Sequence, residues 1–158
     1  ANPCYKTSVT YSTASGMNTY FWTVANGTIG SVQGTNQITV NWDGVSGAAS
    51  VSVTYTDANG CNNTANPTVY PVNVKYPVYI GATGYATLQA AITAAATGAE
   101  IDLVCNHTEG LVTVNKAVTI DGNGNTLTST STTYGLEISS AGVTVKNITV
   151  DNTETYGI

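Results

Sequence analysis

Arginine is missing from this sequence, and its four lysines stand far apart. Affinity for nucleic acids and for anionic membrane surfaces comes from clustered Lys and Arg, so neither is expected as a partner. No apolar run approaches the ~18 residues that a membrane span needs, so we expect no membrane insertion. A charged stretch leading into an apolar region is also missing at the start, so we expect no signal peptide within this numbering.

Charged residues make up only 8% of the chain, although 42% of it is hydrophobic. A disordered chain would be poorer in apolar residues or richer in net charge. The 28 threonines and ten tyrosines favour strands, and the 16 glycines and 16 asparagines favour turns, so we expect a mainly β protein. A surface that is polar through Thr, Ser and Asn with few charges is typical of secreted and cell-surface proteins. We therefore expect an extracellular or cell-surface location.

The first part of the chain contains three segments in which apolar residues alternate with polar or small ones. This alternation is typical of half-buried antiparallel strands, and Gly- and Asn-rich turns separate the segments, which predicts a small β-sandwich. Both tryptophans fall in the apolar register of their strands, so we expect them in the core. The alternating apolar residues are Tyr20, Trp22 and Val24; Ile38, Val40 and Trp42; and Val51, Val53 and Tyr55.

The segment TYFWTVANGTIGSVQGTNQITVNWDGVSGAASVSVTYTDANGC resembles a PKD-like, immunoglobulin-like domain of the kind repeated in large secreted Bacteroidota surface proteins. The matching features are the Tyr-x-Trp-x-Val and Ile-x-Val-x-Trp strands, the glycine turn and the closing Gly60-Cys61. Cys4 stands where this family often has its first cysteine. The resemblance implies a spacer or binding module without catalytic residues.

The three cysteines are Cys4, Cys61 and Cys105. Cys4 and Cys61 bracket the first β-rich unit, so in an oxidising compartment we expect a disulfide between them, worth roughly 4 kcal/mol on the chain-entropy estimate. Two separate buried thiols are the alternative. Cys105 lies in the apolar segment IDLVC and is expected to be a buried thiol. The only histidine, His107, is close to it, but no orienting third group is visible for a catalytic pair.

Three prolines, Pro67, Pro71 and Pro77, mark a junction, because proline lacks an amide donor and is confined to strand edges and linkers. We therefore place the first domain at 1–76 and the second at 77–158. The second begins with a predicted helix, because alanine is abundant and one apolar face recurs with helical spacing. That face consists of Leu88, Ala91, Ile92 and Ala95, with Thr87 as the predicted N-cap and Gly98 as the predicted left-handed residue at the end.

After the helix, short strands repeat. GLVTVNKAVTIDGNGNTL and GLEISSAGVTVKNITVDN align with each other, so that Val112 corresponds to Leu136 and Ile120 to Val145. The two copies are 24 to 25 residues apart. Self-similarity at this period, near the short end of the range for repeat proteins, indicates a solenoid. Strands without further helices favour a parallel β-helix, because the leucine spacing and asparagine position of a leucine-rich repeat are missing.

The segment YATLQAAITAAATGAEIDLVCNHTEGLVTVNKAVTIDGNGNTL resembles the N-terminal cap and first coils of right-handed β-helices of the pectin lyase-like superfamily. That superfamily includes lyases, esterases, glycosidases and adhesins, whose catalytic residues lie on later coils. The expected fold class is therefore mainly β: an Ig-like β-sandwich plus the capped start of a right-handed parallel β-helix with one short α-helix.

Asp121, Asn123 and Asn125 have the alternating oxygen spacing of a calcium loop and are the candidate metal ligands, with calcium as the candidate cofactor. The glycine and the late glutamate of that motif are replaced by Thr126 and Thr132, which favours a plain β-helix turn. Asp121 and Asp151 recur on successive repeats, and we interpret them as solvated turn carboxylates rather than as an acid/base pair. No catalytic residue is expected.

Two coils are fewer than the ~3 repeats expected for independent stability, and Gly157-Ile158 resembles the start of another copy. We therefore expect a portion of a longer protein, or an end covered by another subunit. The predicted function is a non-catalytic module of an extracellular cell-surface protein that binds a surface glycan or protein, adheres, or assembles into a fibre. The alternatives are the N-terminal part of a secreted polysaccharide-degrading lyase or hydrolase, and a self-assembling structural subunit.

Overall fold

The computed structural model describes residues 2–43 and 47–152, which form two compact units divided between Lys75 and Tyr76. The described chain is mainly β and contains one short helix, as the composition predicts. The further repeat predicted at Gly157-Ile158 lies outside the described residues.

Two three-stranded antiparallel sheets build the first unit. One has the strand order β1-β4-β3 and the other β2-β5-β6. The three strands predicted from alternation are β2, β4 and β5, so this prediction is confirmed. The strand bounds are β1 (Ser8–Ser12), β2 (Thr19–Ala25), β3 (Thr28–Ile29), β4 (Gln37–Asn41), β5 (Gly47–Thr56) and β6 (Thr68–Val74).

The core of the first unit contains apolar side chains from both sheets. Trp22 and Trp42 are both almost completely buried in it, as predicted. Trp22 Nε1 donates to the carbonyl of Thr35 at 2.9 Å, which satisfies the polar edge of a ring that is otherwise apolar. The ring of Tyr11 packs edge-on against Trp42 with the centroids 6.1 Å apart.

The predicted Cys4–Cys61 disulfide is wrong, and so is the prediction that Cys105 is a thiol. Cys61 is a free, exposed thiol, whereas Cys4 and Cys105 are each disulfide-bonded. Cys4 forms a β-bridge with Lys75, which follows β6 and lies beside the start of β5. Cys61 lies in the turn after the end of β5. The ten residues of β5 span roughly 30 Å, far more than the ~7 Å between Cα atoms that a disulfide bridges.

The second unit consists of short strands that pair mainly in parallel. An antiparallel pair, β7 and β8, precedes the helix, and β7 also pairs antiparallel with β9. Three parallel ladders follow, in the orders β9-β12-β15, β10-β13-β16 and β11-β14. The bounds are β7 (Val78–Ile80), β8 (Thr83–Tyr85), α1 (Leu88–Ala94), β9 (Glu100–Leu103), β10 (His107–Glu109), β11 (Val112–Val114), β12 (Thr119–Asp121), β13 (Thr126–Ser129), β14 (Leu136–Ile138), β15 (Thr144–Lys146) and β16 (Thr149–Asn152).

The register of the ladders confirms the repeat alignment. Val112 lies opposite Leu136, and Ile120 lies opposite Val145, as the alignment predicts. The preceding step is shorter, because Ile101 lies opposite Ile120 and is closer to it in sequence than Ile120 is to Val145. The turns absorb this difference, so equivalent apolar residues still stack inside one buried cluster.

Helix α1 packs its apolar face into this cluster, and Leu88, Ala91 and Ile92 are fully buried. Thr87 is the N-cap and accepts from the amide of Ala90 at 3.0 Å, as predicted. Gly98 has the predicted positive φ, but it does not end the helix, because Ala95 is already extended. With seven residues, α1 is too short to cross a membrane, and it is the longest helical segment in the described ranges.

Two tyrosines offer a matched test of the first unit's core. The buried hydroxyl of Tyr11 lies beside the Trp42 indole but makes no hydrogen bond of good geometry within the described part of the chain; burial raises its pKa, and the contact with Trp42 lowers it by less. The hydroxyl of Tyr20 donates to the Ala14 carbonyl at 2.9 Å and accepts from the Met17 amide at 3.0 Å. We expect Tyr20→Phe to lower the free energy of unfolding by about 1–2 kcal/mol and Tyr11→Phe to leave it unchanged or raise it slightly.

Urea unfolding followed by tryptophan fluorescence measures both variants, since both tryptophans belong to this unit. Each substitution removes the same hydroxyl group, so the two variants differ only in the hydrogen bonds that are lost. An equal loss of stability in both therefore contradicts the prediction.

Peptide mapping tests the disulfide assignment. Cleavage after the four lysines places each cysteine in a different tryptic peptide, namely 1–6, 7–75 and 76–116. Under non-reducing conditions we expect peptides 1–6 and 76–116 to remain joined and peptide 7–75 to carry one alkylated cysteine. Recovery of 1–6 linked to 7–75 contradicts the assignment.

Candidate functional site

The predicted calcium loop forms a tight turn between β12 and β13. The Asp121 carboxylate accepts from the amide of Asn123 at 2.9 Å, a local hydrogen bond that closes the turn. Asn123 and Gly124 both adopt positive φ, 49° and 79°, which asparagine and glycine tolerate best. A Cβ on Gly122 would collide with the backbone carbonyl of Asn147 in the next repeat, so the backbones approach too closely there for any side chain.

The side-chain amides of this turn form hydrogen bonds to the preceding repeat. Asn123 donates to the Leu103 carbonyl at 3.2 Å, and Asn125 donates to the same carbonyl at 3.0 Å. On the following rung, Asn147 donates to the carboxylate of Asp121 at 3.2 Å. The amide groups therefore satisfy backbone and carboxylate acceptors at a place where the ladder hydrogen bonds are interrupted.

Three carboxylates come together beside the turn. The carboxylate oxygens of Glu100, Asp102 and Asp121 lie within 4.8 Å of one another. Lys146 lies opposite Asp121 in the ladder, and its Nζ is 3.0 Å from Glu100 Oε1 and 3.2 Å from Asp121 Oδ2. The chain's own ammonium group thus lies against two of the three carboxylates.

The hydrogen bonds of this cluster shift two pKa values. The pKa of Asp121 is lowered most by the Asn123 amide and next by the Asn147 side chain, and the hydrogen bond and the charge of Lys146 each add a smaller contribution. The pKa of Lys146 is raised, mainly by its hydrogen bond to Glu100 and next by Asp121. Both groups are therefore held in their charged forms.

Of the predicted metal ligands, the structure places Asp121 next to other carboxylates, whereas the amides of Asn123 and Asn125 donate to backbone carbonyls. The calcium site stays a prediction. Asp121 and Asp151 do not share a ladder, because Asp151 lies on β16 opposite Thr128. The sequence interpretation missed Lys146, although the repeat alignment carries the signal: extending the pairing of Ile120 with Val145 by one residue sets Asp121 against Lys146.

A second polar cluster lies inside the second unit. His107 Nε2 is 3.7 Å from Glu109 Oε2, and both side chains are about nine-tenths buried. The other carboxylate oxygen of Glu109 accepts from the amide of Leu88 at 3.1 Å, which satisfies a free donor at the start of α1. Ser129, opposite Glu109, is fully buried. The Glu109 carboxylate therefore fixes the start of α1.

The PKD-like domain family model matches residues 1–71, which supports the PKD-like interpretation of the first unit. A PKD-like domain suggests a non-catalytic extracellular module in general. None of the curated proteins matches the chain. None of the solved structures matches it either.

The pKa of the Asp121 carboxyl group tests the interactions that lower it. Asn147→Gly removes one amide at a residue whose φ is 52°, which glycine tolerates, and Lys146→Met removes the ammonium but keeps most of the stem. We expect both variants to raise the pKa of Asp121 in a carbon-13 NMR titration. Salt should weaken only the effect of Lys146→Met.

The stability effect has a defined sign. Because the folded-state pKa of Asp121 lies below the ordinary value of about 3.9, its contribution is complete above about pH 3.9 and is lost as the pH falls through the folded pKa. An unchanged pKa of Asp121 in either variant contradicts this account of its interactions.

Proposed function

We propose that this chain is a non-catalytic module of an extracellular cell-surface protein, in which a PKD-like, Ig-like sandwich (1–76) precedes the first coils of a right-handed parallel β-helix (77–158). The observation that carries the proposal is the family match over residues 1–71, which coincides with a two-sheet unit built around buried tryptophans. Modules of this kind act as spacers or binding domains.

The β-helix proposal is supported by the three parallel ladders of the second unit. Strands one repeat apart pair in register, and their apolar residues stack, as Ile101, Ile120 and Val145 do on one ladder. Helix α1 covers part of the same core, which is the role of a terminal cap in a solenoid. The right hand follows from the strong preference of parallel strand connections for that hand.

Our proposal includes adhesion to, or binding of, a surface glycan or protein, and the chemistry of the candidate site supports its non-catalytic part. The carboxylate of Asp121 is held by two amides and an ammonium, and its pKa is lowered rather than raised. A general acid needs the opposite shift, toward the operating pH. This arrangement suits a carboxylate that stabilises the fold.

The extracellular location is supported by the disulfide. Disulfides form and persist in oxidising compartments and are rare in the cytosol. PKD-like domains are also typically extracellular. Few charges and many hydroxyl and amide groups agree with the same location.

The free thiol of Cys61 provides the test of location. It is exposed, and its backbone amide is fixed by the Asp57 carboxylate at 2.9 Å. Producing cells are treated with a membrane-impermeant maleimide, once intact and once lysed, and the 7–75 peptide is analysed by mass spectrometry. We expect equal labelling of intact and lysed cells, and no label on this peptide in the Cys61→Ser control. Labelling only after lysis overturns the proposal.

A further inference from the structure

A shallow groove lies on the sheet β1-β4-β3, and the buried core residue Ile38 also borders it. Its volume is about 300 Å³, at the small end of the range for small-molecule sites. Strands β1 and β4 form its floor, and the segment 31–35 forms its wall. The side chains that line it outside the core are Thr10, Ser31, Val32, Thr35, Gln37 and Thr39.

The lining contains hydroxyl groups, one side-chain amide and one exposed valine, and none of its residues is charged. A charged ligand would find no counter-charge here, and a purely apolar ligand would find only Val32, which is 83% exposed, and the buried Ile38. Hydroxyls and amides both donate and accept hydrogen bonds, so they match a ligand that also presents both. A sugar ring has this chemistry, with hydroxyl groups at its edge and C–H groups on its face.

The wall of the groove is fastened to rigid parts of the unit. Gln33 Oε1 accepts from the backbone amide of Trp22 at 2.8 Å, and the Trp22 indole donates to the Thr35 carbonyl at 2.9 Å. Because Trp22 is a core residue, these two bonds tie the segment 31–35 to the centre of the sandwich. A preformed wall lowers the entropy that binding would otherwise cost.

Several polar groups of the groove keep hydrogen-bonding capacity for a ligand. Ser31 Oγ accepts from the Thr39 amide at 2.9 Å, which leaves its O–H to donate. The hydroxyls of Thr10 and Thr39 are 3.4 Å apart and point to the same face. Within the described part of the chain, the side-chain amide of Gln37 has no hydrogen-bond partner.

We infer that this groove binds a neutral glycan chain through one or two of its sugar units. The inference names the ligand class of the module and rests on the function proposed above. Shape and hydroxyl pairing select the ligand, whereas uronic-acid polymers are disfavoured because the groove offers their carboxylates no cation.

The test is a nitrogen-15 NMR titration of the full chain with cellohexaose, mannohexaose and maltohexaose, and with hexagalacturonate as the charged comparator. We expect at least one neutral hexasaccharide to shift the amides of Thr10, Ser31, Gln37 and Thr39. Hexagalacturonate should leave these amides unchanged.

Variants separate direct contact from a general effect on the fold. Gln37→Ala and Thr39→Val should each weaken binding about fivefold, the effect of one lost hydrogen bond. The matched control is Thr54→Val, on the outward face of the other sheet, and it should bind like the parent chain. Tryptophan fluorescence verifies that each variant is folded.

Three results overturn the inference: no shift of the groove amides with any neutral hexasaccharide, equal shifts with hexagalacturonate, or equal weakening by Thr54→Val. If the groove fails these tests while Cys61 is still labelled on intact cells, the glycan site is wrong and the extracellular function stands. If the labelling fails as well, both proposals are wrong.

Discussion

Parallel backbone pairing between successive repeats is the constraint on which the second unit depends. A strand of three or four residues cannot bury its apolar side chains or satisfy its own backbone groups, so each rung needs the rung beside it. Once the register of the strands is set, each paired strand residue lies opposite its equivalent one repeat away. This stacking forms the core from Ile101, Ile120 and Val145, and it also brings Asp102, Asp121 and Lys146 into one row on the outside.

The first unit solves the same problem with two sheets. Alternation sends one set of side chains inward, where Trp22 and Trp42 are the largest fully buried side chains, and the other set outward. The buried rings also position what lies on the surface, because the backbone and indole of Trp22 hold the segment 31–35 in place. The shape of the uncharged groove is therefore a consequence of core packing.

Local patterns predicted much of this fold. Period-two alternation located β2, β4 and β5, the alanine-rich apolar face located α1, and self-similarity located the pairing of Val112 with Leu136. These features depend on residues close in sequence or on a repeat that alignment reveals. The disulfide was mispredicted because bracketing a unit in sequence says nothing about which end of a strand each cysteine occupies, and β5 separates Cys4 from Cys61.

The candidate sites were predicted less well than the fold. The loop at Asp121 was located, but its partners Glu100 and Lys146 are distant in sequence and follow only from the three-dimensional register. The groove on the first unit was not predicted, because it needs a particular fastening of the segment 31–35 to strand β4 by side-chain hydrogen bonds. No composition or periodicity encodes such contacts.

The unequal length of the repeats has an evolutionary consequence. Ile101 is closer in sequence to Ile120 than Ile120 is to Val145, yet all three stack on one ladder. Insertions and deletions in the turns therefore leave the core untouched, whereas a single residue gained inside a strand would turn its apolar side chains outward. Relatives of this unit should diverge in length mainly in turns such as the one that carries the exposed Tyr134, while their strands keep a constant length.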